Sequence, residues 1–170
     1  MAVYAISDTH FGHENIIKKY SRTHFQSIEE HDNAIKDNIL RVCGKRDTLY
    51  ILGDICFNRE SLRYVEEINE RVENLYVLLG NHDGERSGHP KAREYLPFVT
   101  DIRGPWKYKK KAWLSHFPVH ESELRGKINI HGHIHDINID DNRYVNVSCE
   151  NTNYMPIELE KIFLGWRTNR

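Results

Sequence analysis

The chain has 170 residues, of which 39% are hydrophobic and 29% are charged, values that are ordinary for a globular protein with a buried core. Its formal net charge of -1 excludes a strong overall attraction to nucleic acid or to an anionic membrane surface. Its 3 cysteines show no C-x-x-C spacing, which excludes a disulfide framework and a cysteine zinc site. We therefore expect reduced thiols, a cytoplasmic location and one domain over residues 1–170.

Strand-like and helix-like patterns alternate over the first half of the chain. Short apolar runs predict strands over residues 2–7, 48–52 and 75–79. A capping box at residues 27–30 begins a predicted helix that ends near Gly44, and helical spacing predicts a second helix over residues 61–72. This alternation favours parallel βαβ units and an α/β fold class.

The second half has a different pattern, with strand-like runs over residues 106–115, 128–131 and 144–147. Short connections between these runs predict a second sheet with more hairpin character. Residues 84–88 are predicted to form an exposed loop, and residues 159–164 a closing helix. The run from Trp106 to Trp113 interleaves aromatic residues with lysines, which is typical of a nucleic-acid platform or of a hairpin with a solvated lysine turn. We favour the hairpin, because the net charge is close to zero.

Five polar signatures each follow a strand-like run, at the position where ligands bind in open α/β sheets. They are Asp8-Thr9-His10, Gly53-Asp54, Gly80-Asn81-His82-Asp83, Ser115-His116 and Gly132-His133-Ile134-His135. Nitrogen and oxygen donors in this mixture suit divalent transition metals better than calcium or magnesium alone. Seven donors are too many for one tetrahedral site and suit two metals that share a bridging carboxylate. The predicted ligands are Asp8, His10, Asp54, Asn81, His116, His133 and His135.

The order D-x-H, G-D, G-N-H-D, H and G-H-x-H resembles the calcineurin-like metallophosphoesterase superfamily. All five blocks match at every ligand position between Asp8 and His135. The run D-T-H-F-G-H-E-N-I-I, which begins at Asp8, is similar to the small prokaryotic and phage-type phosphoesterases of that superfamily. The resemblance implies a four-layer α/β/β/α sandwich with two mixed sheets and a two-metal site at one edge.

The resemblance also implies which residue does what. Asp54 bridges the two metals, which are expected to be manganese, with iron, zinc or nickel as alternatives. The first metal is held by Asp8, His10, Asp54 and His135, and the second by Asp54, Asn81, His116 and His133. A hydroxide between the metals attacks phosphorus directly, His82 protonates the leaving group, and Asp83 orients His82. The expected catalytic residues are therefore His82, Asp83 and Asp54.

One departure from the superfamily concerns phosphate binding. Its protein phosphatases continue after Gly-Asp with Val-Asp-Arg-Gly, and that arginine binds phosphate. Here residues 53–58 read G-D-I-C-F-N, which counts against phosphoprotein phosphatase activity. Arg59 lies one residue beyond the matching position, so it is only a weak candidate for the same task.

Three functions fit these features. The leading one is hydrolysis of a small-molecule or nucleotide-type phosphomonoester or phosphodiester. The second is a nuclease or nucleic-acid end-processing phosphoesterase that uses the lysine-aromatic strand as a platform. The third is a non-catalytic metal-binding interaction module on the same fold. Across the three functions the expected partner is a phosphoester, with nucleotides and nucleic acid considered, and no membrane partner is expected. The oligomeric state is left open.

Histidine is over-represented, with 11 residues, and six of them lie outside the signatures. His13 either lines the site or lies in a loop, with equal weight on the two interpretations. We expect His131 to be buried in support of its strand end and His120 to lie in a loop. The remaining three are expected at the surface: His24, His31 and His89.

Overall fold

The fold is taken from a computed structural model that describes residues 1–168. The strands, in chain order, are β1 (Val3–Ile6), β2 (Thr48–Leu52), β3 (Asn74–Leu78), β4 (Asp101–Arg103), β5 (Trp106–Tyr108), β6 (Ala112–Leu114), β7 (Ile128–His131), β8 (Tyr144–Asn146) and β9 (Ile157–Glu158). The α-helices are α1 (Ile28–Val42), α2 (Leu62–Arg71), α3 (Ala92–Tyr95), α4 (Glu121–Leu124) and α5 (Leu159–Thr168).

The strands form two mixed sheets. The first has the order β4-β3-β2-β1-β9, in which β1 to β4 are parallel and β9 is antiparallel to β1. The second has the order β5-β6-β7-β8. The predicted βαβ half is confirmed, because α1 connects β1 to β2 and α2 connects β2 to β3.

One face of the first sheet packs against α1 and α2. Ser27 caps α1 as predicted, since its hydroxyl accepts a 3.1 Å hydrogen bond from the Glu30 backbone N–H. Apolar side chains at helical spacing face the sheet from both helices. This core includes Ile35 and Ile39 of α1, Val65 and Ile68 of α2, and Ile6, Leu49, Ile51 and Val77 of the sheet.

The other face of the first sheet packs against the second sheet. Residues alternate between the two faces of a strand, so the neighbours of the first core's residues point to the opposite side. This second core combines Ala5, Leu52 and Leu78 with Leu114, Ile128 and Ile130, and Leu159 and Phe163 of α5 also belong to it. The predicted closing helix is thereby confirmed.

The outer face of the second sheet carries a thin helical layer around α4. The Trp113 indole N–H donates a 2.9 Å hydrogen bond to the Glu123 carbonyl, and the Tyr144 hydroxyl donates one of 2.8 Å to the Val119 carbonyl. The α/β/β/α order expected from the resemblance is therefore present, with a fourth layer whose helix has only 4 residues.

The second sheet has less hairpin character than the sequence predicted. Only β5 and β6 form an antiparallel hairpin, whereas β6, β7 and β8 are parallel. The run 106–115 is interrupted by a turn in which Lys109 and Lys110 have φ of 44° and 58°. None of the helices in the described part of the chain is long and apolar enough to cross a membrane.

Candidate metal centre

The five polar signatures meet at the carboxyl edge of the sheets. Backbone hydrogen bonds join the first two, since the N–H groups of Asp8 and His10 donate to the carbonyls of Gly53 and Asp54 at 3.1 and 2.9 Å. The last signature joins them where the His133 N–H donates to Asp8 Oδ2 at 2.9 Å. These contacts bring residues more than a hundred positions apart into one site.

Most of the predicted ligands have left-handed backbone conformations. Non-glycine residues rarely adopt positive φ, and such strain concentrates where the fold must aim a side chain. The residues concerned are Asp8 (58°), His10 (51°), Asp54 (52°), His133 (71°) and His135 (49°). Each lies in the turn that directly follows a strand, so the backbone itself directs these side chains toward one point.

The Asp54 carboxylate lies between two groups of donors. His10 Nε2 is 3.7 Å from Asp54 Oδ2, and His116 Nε2 is 3.5 Å from Asp54 Oδ1. The Asn81 amide oxygen lies 3.0 Å from His116 Nε2 on the same side. The ligand atoms of Asp8, His10 and His135 lie within 4.8 Å of one another, as do those of Asp8, Asp54 and His116. The His133 ring lies beside the His116 ring, with centroids 5.1 Å apart.

Two buried polar atoms at this point have no hydrogen-bond partner among the described residues: Asp8 Oδ1 and His10 Nε2. They lie 3.8 Å apart, which is too long for a hydrogen bond. Buried polar atoms are nearly always satisfied in folded proteins, so an unpaired carboxylate oxygen facing an unpaired imidazole nitrogen indicates a missing partner. A divalent cation satisfies both atoms at once.

The electrostatics of the site also favour cations. Burial, together with the nearby Asp8 carboxylate, raises the pKa of Asp54, although His116 lowers it. Burial also acts to raise the pKa of Asp8, but the neighbouring rings of His10, His116 and His135 outweigh it and lower that pKa. Burial lowers the pKa of His10 to about 3, so the imidazole is neutral and free to act as a ligand. Positive charge between the two carboxylates would favour the ionised form of both.

The ring orientations of two predicted ligands are set by hydrogen bonds at Nδ1. His116 Nδ1 lies 2.8 Å from the Leu52 carbonyl oxygen, and His135 Nδ1 lies 2.9 Å from Glu150 Oε1. When Nδ1 carries the proton, Nε2 presents its lone pair to a metal. Burial alone raises the pKa of Glu150, but His135 and Arg22 lower it to about 2, so its carboxylate stays charged.

Arg22 is a supporting residue that the sequence did not indicate. Its side chain is 0% exposed, and its guanidinium donates to the Asp8 carbonyl at 2.6 Å and to Glu150 Oε1 at 2.7 Å. One arginine therefore holds the backbone of one ligand and the carboxylate that orients another. Its sequence surroundings are polar and lack a motif, so only the fold shows this role.

The prediction that His31 lies at the surface is wrong. The ring is buried, with Nε2 2.9 Å from Arg22 Nη1 and Nδ1 2.7 Å from Asp32 Oδ1. Asp32 in turn accepts a 2.8 Å hydrogen bond from the Gly12 N–H. Burial and the Arg22 charge lower the pKa of His31 to about 3, while burial raises that of Asp32 to about 7. These contacts connect Arg22 through His31 and Asp32 to the backbone of Gly12, close to the first signature.

The structure gives Asp83 a different task from the expected one. Its carboxylate accepts backbone hydrogen bonds from Asp54 (2.8 Å), Ile55 (2.9 Å) and Gly80 (2.7 Å), so it ties two signature loops together. The ring of His82 is instead held by Glu85, whose Oε2 lies 2.5 Å from Nδ1. Glu85 is not among the residues that the sequence predicted for the site, although its position three residues after His82 is a local signal.

A second surface prediction, for His89, is also wrong. This ring is buried, and its Nδ1 lies 2.7 Å from the His82 carbonyl oxygen, so it fixes the loop that carries His82. His13 lies at the site, where its ring stacks on Phe57 at 4.0 Å and its Nδ1 is 3.1 Å from His10 Nδ1. His131 is buried at its strand end, as expected.

The other two sequence-based assignments agree with the structure. His24 is exposed, and His120 lies in a loop at the start of α4, where its Nδ1 accepts a hydrogen bond from the Ser122 N–H. Cys56 is buried, and its thiol is free.

The lysine-rich hairpin turns away from the site. In the β5–β6 register, Tyr108 pairs with Ala112 at the start of β6, whereas the signature with His116 follows the end of β6. Lys107 Nζ lies 4.7 Å from the Trp113 ring centroid, and Lys111 Nζ lies 3.6 Å from Glu160 Oε1. The preferred interpretation of this run as a hairpin with a lysine turn is thus confirmed.

Gly132 provides a direct test of how tightly this edge is packed. A Cβ atom at this position would overlap Ser7 Oγ and Asp8 Oδ2. We expect Gly132→Ala to displace the Asp8 carboxylate and to lower bound metal, measured by elemental analysis, by at least half. The matched control is Gly104→Ala, since a Cβ there has no atom within 4 Å. Full metal content in Gly132→Ala would contradict the placement of Asp8.

Comparisons with known proteins agree with this geometry. The family model described as calcineurin-like phosphoesterase matches residues 1–170. An uncharacterized protein of Methanocaldococcus jannaschii is 33% identical over 172 aligned residues, which cover 94% of this chain and 88% of that protein. The Gene 66 protein of Mycobacterium phage L5 is 32% identical over 161 residues, covering 76% of this chain and 75% of that protein.

A solved structure also resembles the fold. The crystal structure of a protein of unknown function from Aquifex aeolicus matches with a TM-score of 0.69 and 30% sequence identity. The match covers 95% of this chain and 97% of that chain.

Proposed function

Because the chain belongs to the calcineurin-like phosphoesterase family, we propose that it hydrolyses phosphomonoesters or phosphodiesters with two divalent metal ions and with His82 as general acid. The observation that carries this proposal is the Asp54 carboxylate between two groups of buried nitrogen and oxygen donors. The ligand positions that the family resemblance implies include Asp8 and His10, whose unpaired buried atoms also support a metal at this place.

We assign Asp8, His10 and His135 to one metal and His116, Asn81 and His133 to the other, with Asp54 shared between them. The ligand atoms of Asp8, His10 and His135 form one cluster, and that of Asp8 also lies within 4.8 Å of those of Asp54 and His116, which supports two adjoining sites. Asn81 and His133 lie beside His116. When bound, two divalent metals supply a nucleophile derived from water and neutralise charge on the phosphoryl oxygens. We propose manganese as the working metal, with iron, zinc or nickel as alternatives, because mixed imidazole and carboxylate donors accept each of them.

His82 lies at the rim of this centre with its ring partly exposed. Its backbone N–H donates to Asp54 Oδ1 at 2.9 Å, and Glu85 holds its Nδ1. Its Nε2 is then the atom that reaches a substrate, where it donates a proton to the departing alkoxide or phenoxide oxygen.

The test uses metal-stripped protein with p-nitrophenyl phosphate and bis-p-nitrophenyl phosphate as substrates. We expect turnover only after manganese is added, and the preferred ester distinguishes a monoesterase from a diesterase. Two bound metals without turnover of either ester would instead support the interaction module. Turnover of nucleic acid alone, with strong salt dependence, would support the nuclease.

A substitution of His82 separates proton transfer from metal binding. We expect His82→Gln to lower kcat on p-nitrophenyl phosphate by about a hundredfold to ten-thousandfold, the usual contribution of a positioned general acid. Metal content should stay at the wild-type value, because no ligand atom is removed. A matched control is His24→Gln, an exposed histidine outside the site. Unchanged kcat in His82→Gln would remove His82 from the mechanism.

A further inference from the structure

A cavity of about 160 Å³ adjoins the metal centre. Two of the residues that line it, His10 and His135, are predicted metal ligands, and a third is His82. A phosphate group that contacts His82 and the metal assigned to His10 and His135 would therefore lie in this cavity. The remaining lining residues decide what else such a phosphate meets.

Two cationic side chains, Lys19 and Arg86, line the same cavity. Both are exposed, and among the side chains that the structure describes, those of residues 1–166, neither has an ion-pair or side-chain hydrogen-bond partner. Most other cations near the site are engaged, for example Lys91, whose Nζ donates to the Gly84 carbonyl at 2.6 Å. Two free cations at one cavity favour an anionic ligand.

The segment that carries Lys19 is fixed at the site. The next residue, Tyr20, has a φ of 52°, an uncommon conformation for a bulky residue. Its ring stacks on the ring of His135 with centroids 4.0 Å apart and planes at 12°. Two residues further on, the buried Arg22 is bonded to the Asp8 carbonyl. The contacts of Tyr20 with His135 and of Arg22 with Asp8 therefore fix the backbone next to Lys19 at the cavity.

The loop that carries Arg86 is also fixed, by its own backbone. The Arg86 carbonyl accepts hydrogen bonds from the His89 N–H at 3.1 Å and from Lys91 Nζ at 3.4 Å. The buried ring of His89 in turn holds the His82 carbonyl. The backbone carbonyl of Arg86 is therefore held within the protein, while the Arg86 side chain lines the cavity beside Glu85, whose pKa the Glu85–His82 hydrogen bond and the charge of Arg86 lower.

Arg59, the only candidate that the sequence offered for phosphate binding, is engaged elsewhere. Its Nε lies 2.7 Å from Glu94 Oε1, and its Nη1 donates to the Ser87 carbonyl at 3.0 Å. It does not line the cavity at the metal centre.

We propose that Lys19 and Arg86 together bind the non-bridging oxygens of the substrate phosphate at this cavity. An arginine offers two parallel N–H donors that match a phosphate, and a lysine adds a point charge. This inference rests on the proposed function, since it assigns the phosphate-binding residues of the same site.

The experiment uses inorganic phosphate as the probe and calorimetry of the manganese-loaded protein as the readout. We expect Lys19→Ala and Arg86→Ala each to weaken phosphate binding about tenfold, as expected for loss of a charged hydrogen bond. The double variant should bind phosphate more weakly than either single variant, with a departure from additivity because both cations contact the same phosphate. Metal content should not change. The matched controls are Lys18→Ala and Arg93→Ala, two exposed cations that do not line the cavity, and these should bind phosphate within twofold of wild type.

The kinetic readout distinguishes this inference from the proposed function. In parallel assays, kcat/KM for p-nitrophenyl phosphate should fall in the same variants and by similar factors. Wild-type turnover together with unchanged phosphate binding in both single variants would overturn the inference and leave the proposed function intact. Phosphate binding that depends on both cations, without turnover of any ester by wild type, would support the inference and refute the proposed function.

Discussion

Asp54→Asn is expected to lose phosphoesterase turnover by about a thousandfold, because a shared metal ligand supports several kcal/mol of transition-state stabilisation. The substitution keeps the shape of the side chain and the Oδ1 that accepts from the His82 N–H, but it removes the charge between the two donor groups. We expect bound manganese to fall from two ions to one or fewer, measured on the same preparation.

The metal-free protein should respond to this substitution in the opposite direction. Burial and the neighbouring Asp8 carboxylate raise the pKa of Asp54 in the folded state. An acid with a raised folded-state pKa opposes folding at any pH above its unfolded-state pKa, so a neutral asparagine relieves that opposition near neutral pH. The Tm of metal-free Asp54→Asn should therefore equal or exceed that of metal-free wild type, whereas the rise in Tm on adding manganese should shrink.

The matched control for Asp54→Asn is Asp140→Asn, an exposed carboxylate outside the site. It should keep both metals and full turnover. If Asp54→Asn bound two metals and hydrolysed esters at the wild-type rate, Asp54 would not bridge the centre.

Arg22→Met is expected to destabilise the fold by about 3–5 kcal/mol, the usual result of removing one partner of a buried ion pair. The Arg22 and Glu150 side chains are 0% and 1% exposed, so the substitution leaves a buried carboxylate without its cation. It also removes the hydrogen bond to the Asp8 carbonyl. The loss is measured as the change in free energy of unfolding in urea, with metal-free protein.

Two further variants make this prediction specific. Arg59→Met removes the exposed pair with Glu94 and should have little effect, because exposed ion pairs add little to stability. Arg22→Met combined with Glu150→Gln should recover part of the loss, since the uncompensated charge is gone. Equal stability of Arg22→Met and Arg59→Met would show that the buried network does not support the fold.

The same network should also affect metal binding. Glu150 orients the ring of His135, a predicted ligand. Substitution of a residue that orients a metal ligand in this way usually weakens metal binding by about ten- to a hundredfold. Weaker manganese binding in Arg22→Met, at a temperature where the variant is folded, would therefore accompany the loss of stability.

Much of the fold and of the metal centre was predictable, because local chemistry encodes it. Short apolar runs determine β1, β2 and β3, and a strand is followed by its signature within one to three residues. The topology of parallel strands then places those signatures at one edge. The second sheet was harder, since β6 and β8 have only 3 residues each and their parallel pairing depends on neighbours distant in sequence.

The supporting residues were not predictable from local pattern. Arg22 and Glu150 are 128 positions apart, and neither lies in a motif. His31 looks like a polar residue of an amphipathic helix, yet the fold places it against Arg22 and buries it. Asp83 lies beside His82 in the chain, but its carboxylate reaches the backbone of the Asp54 loop instead.

The sequence by itself determined which side chains are candidate metal ligands, because ligand chemistry and spacing along a strand end are local properties. Only the tertiary structure decided which charges are buried with a partner, such as Arg22 with Glu150, and which are left facing the cavity, such as Lys19 and Arg86. The physical reason is that the pairing and burial of a charged side chain depend on which segments fold against each other. The local sequence around a residue does not specify its neighbours from distant segments.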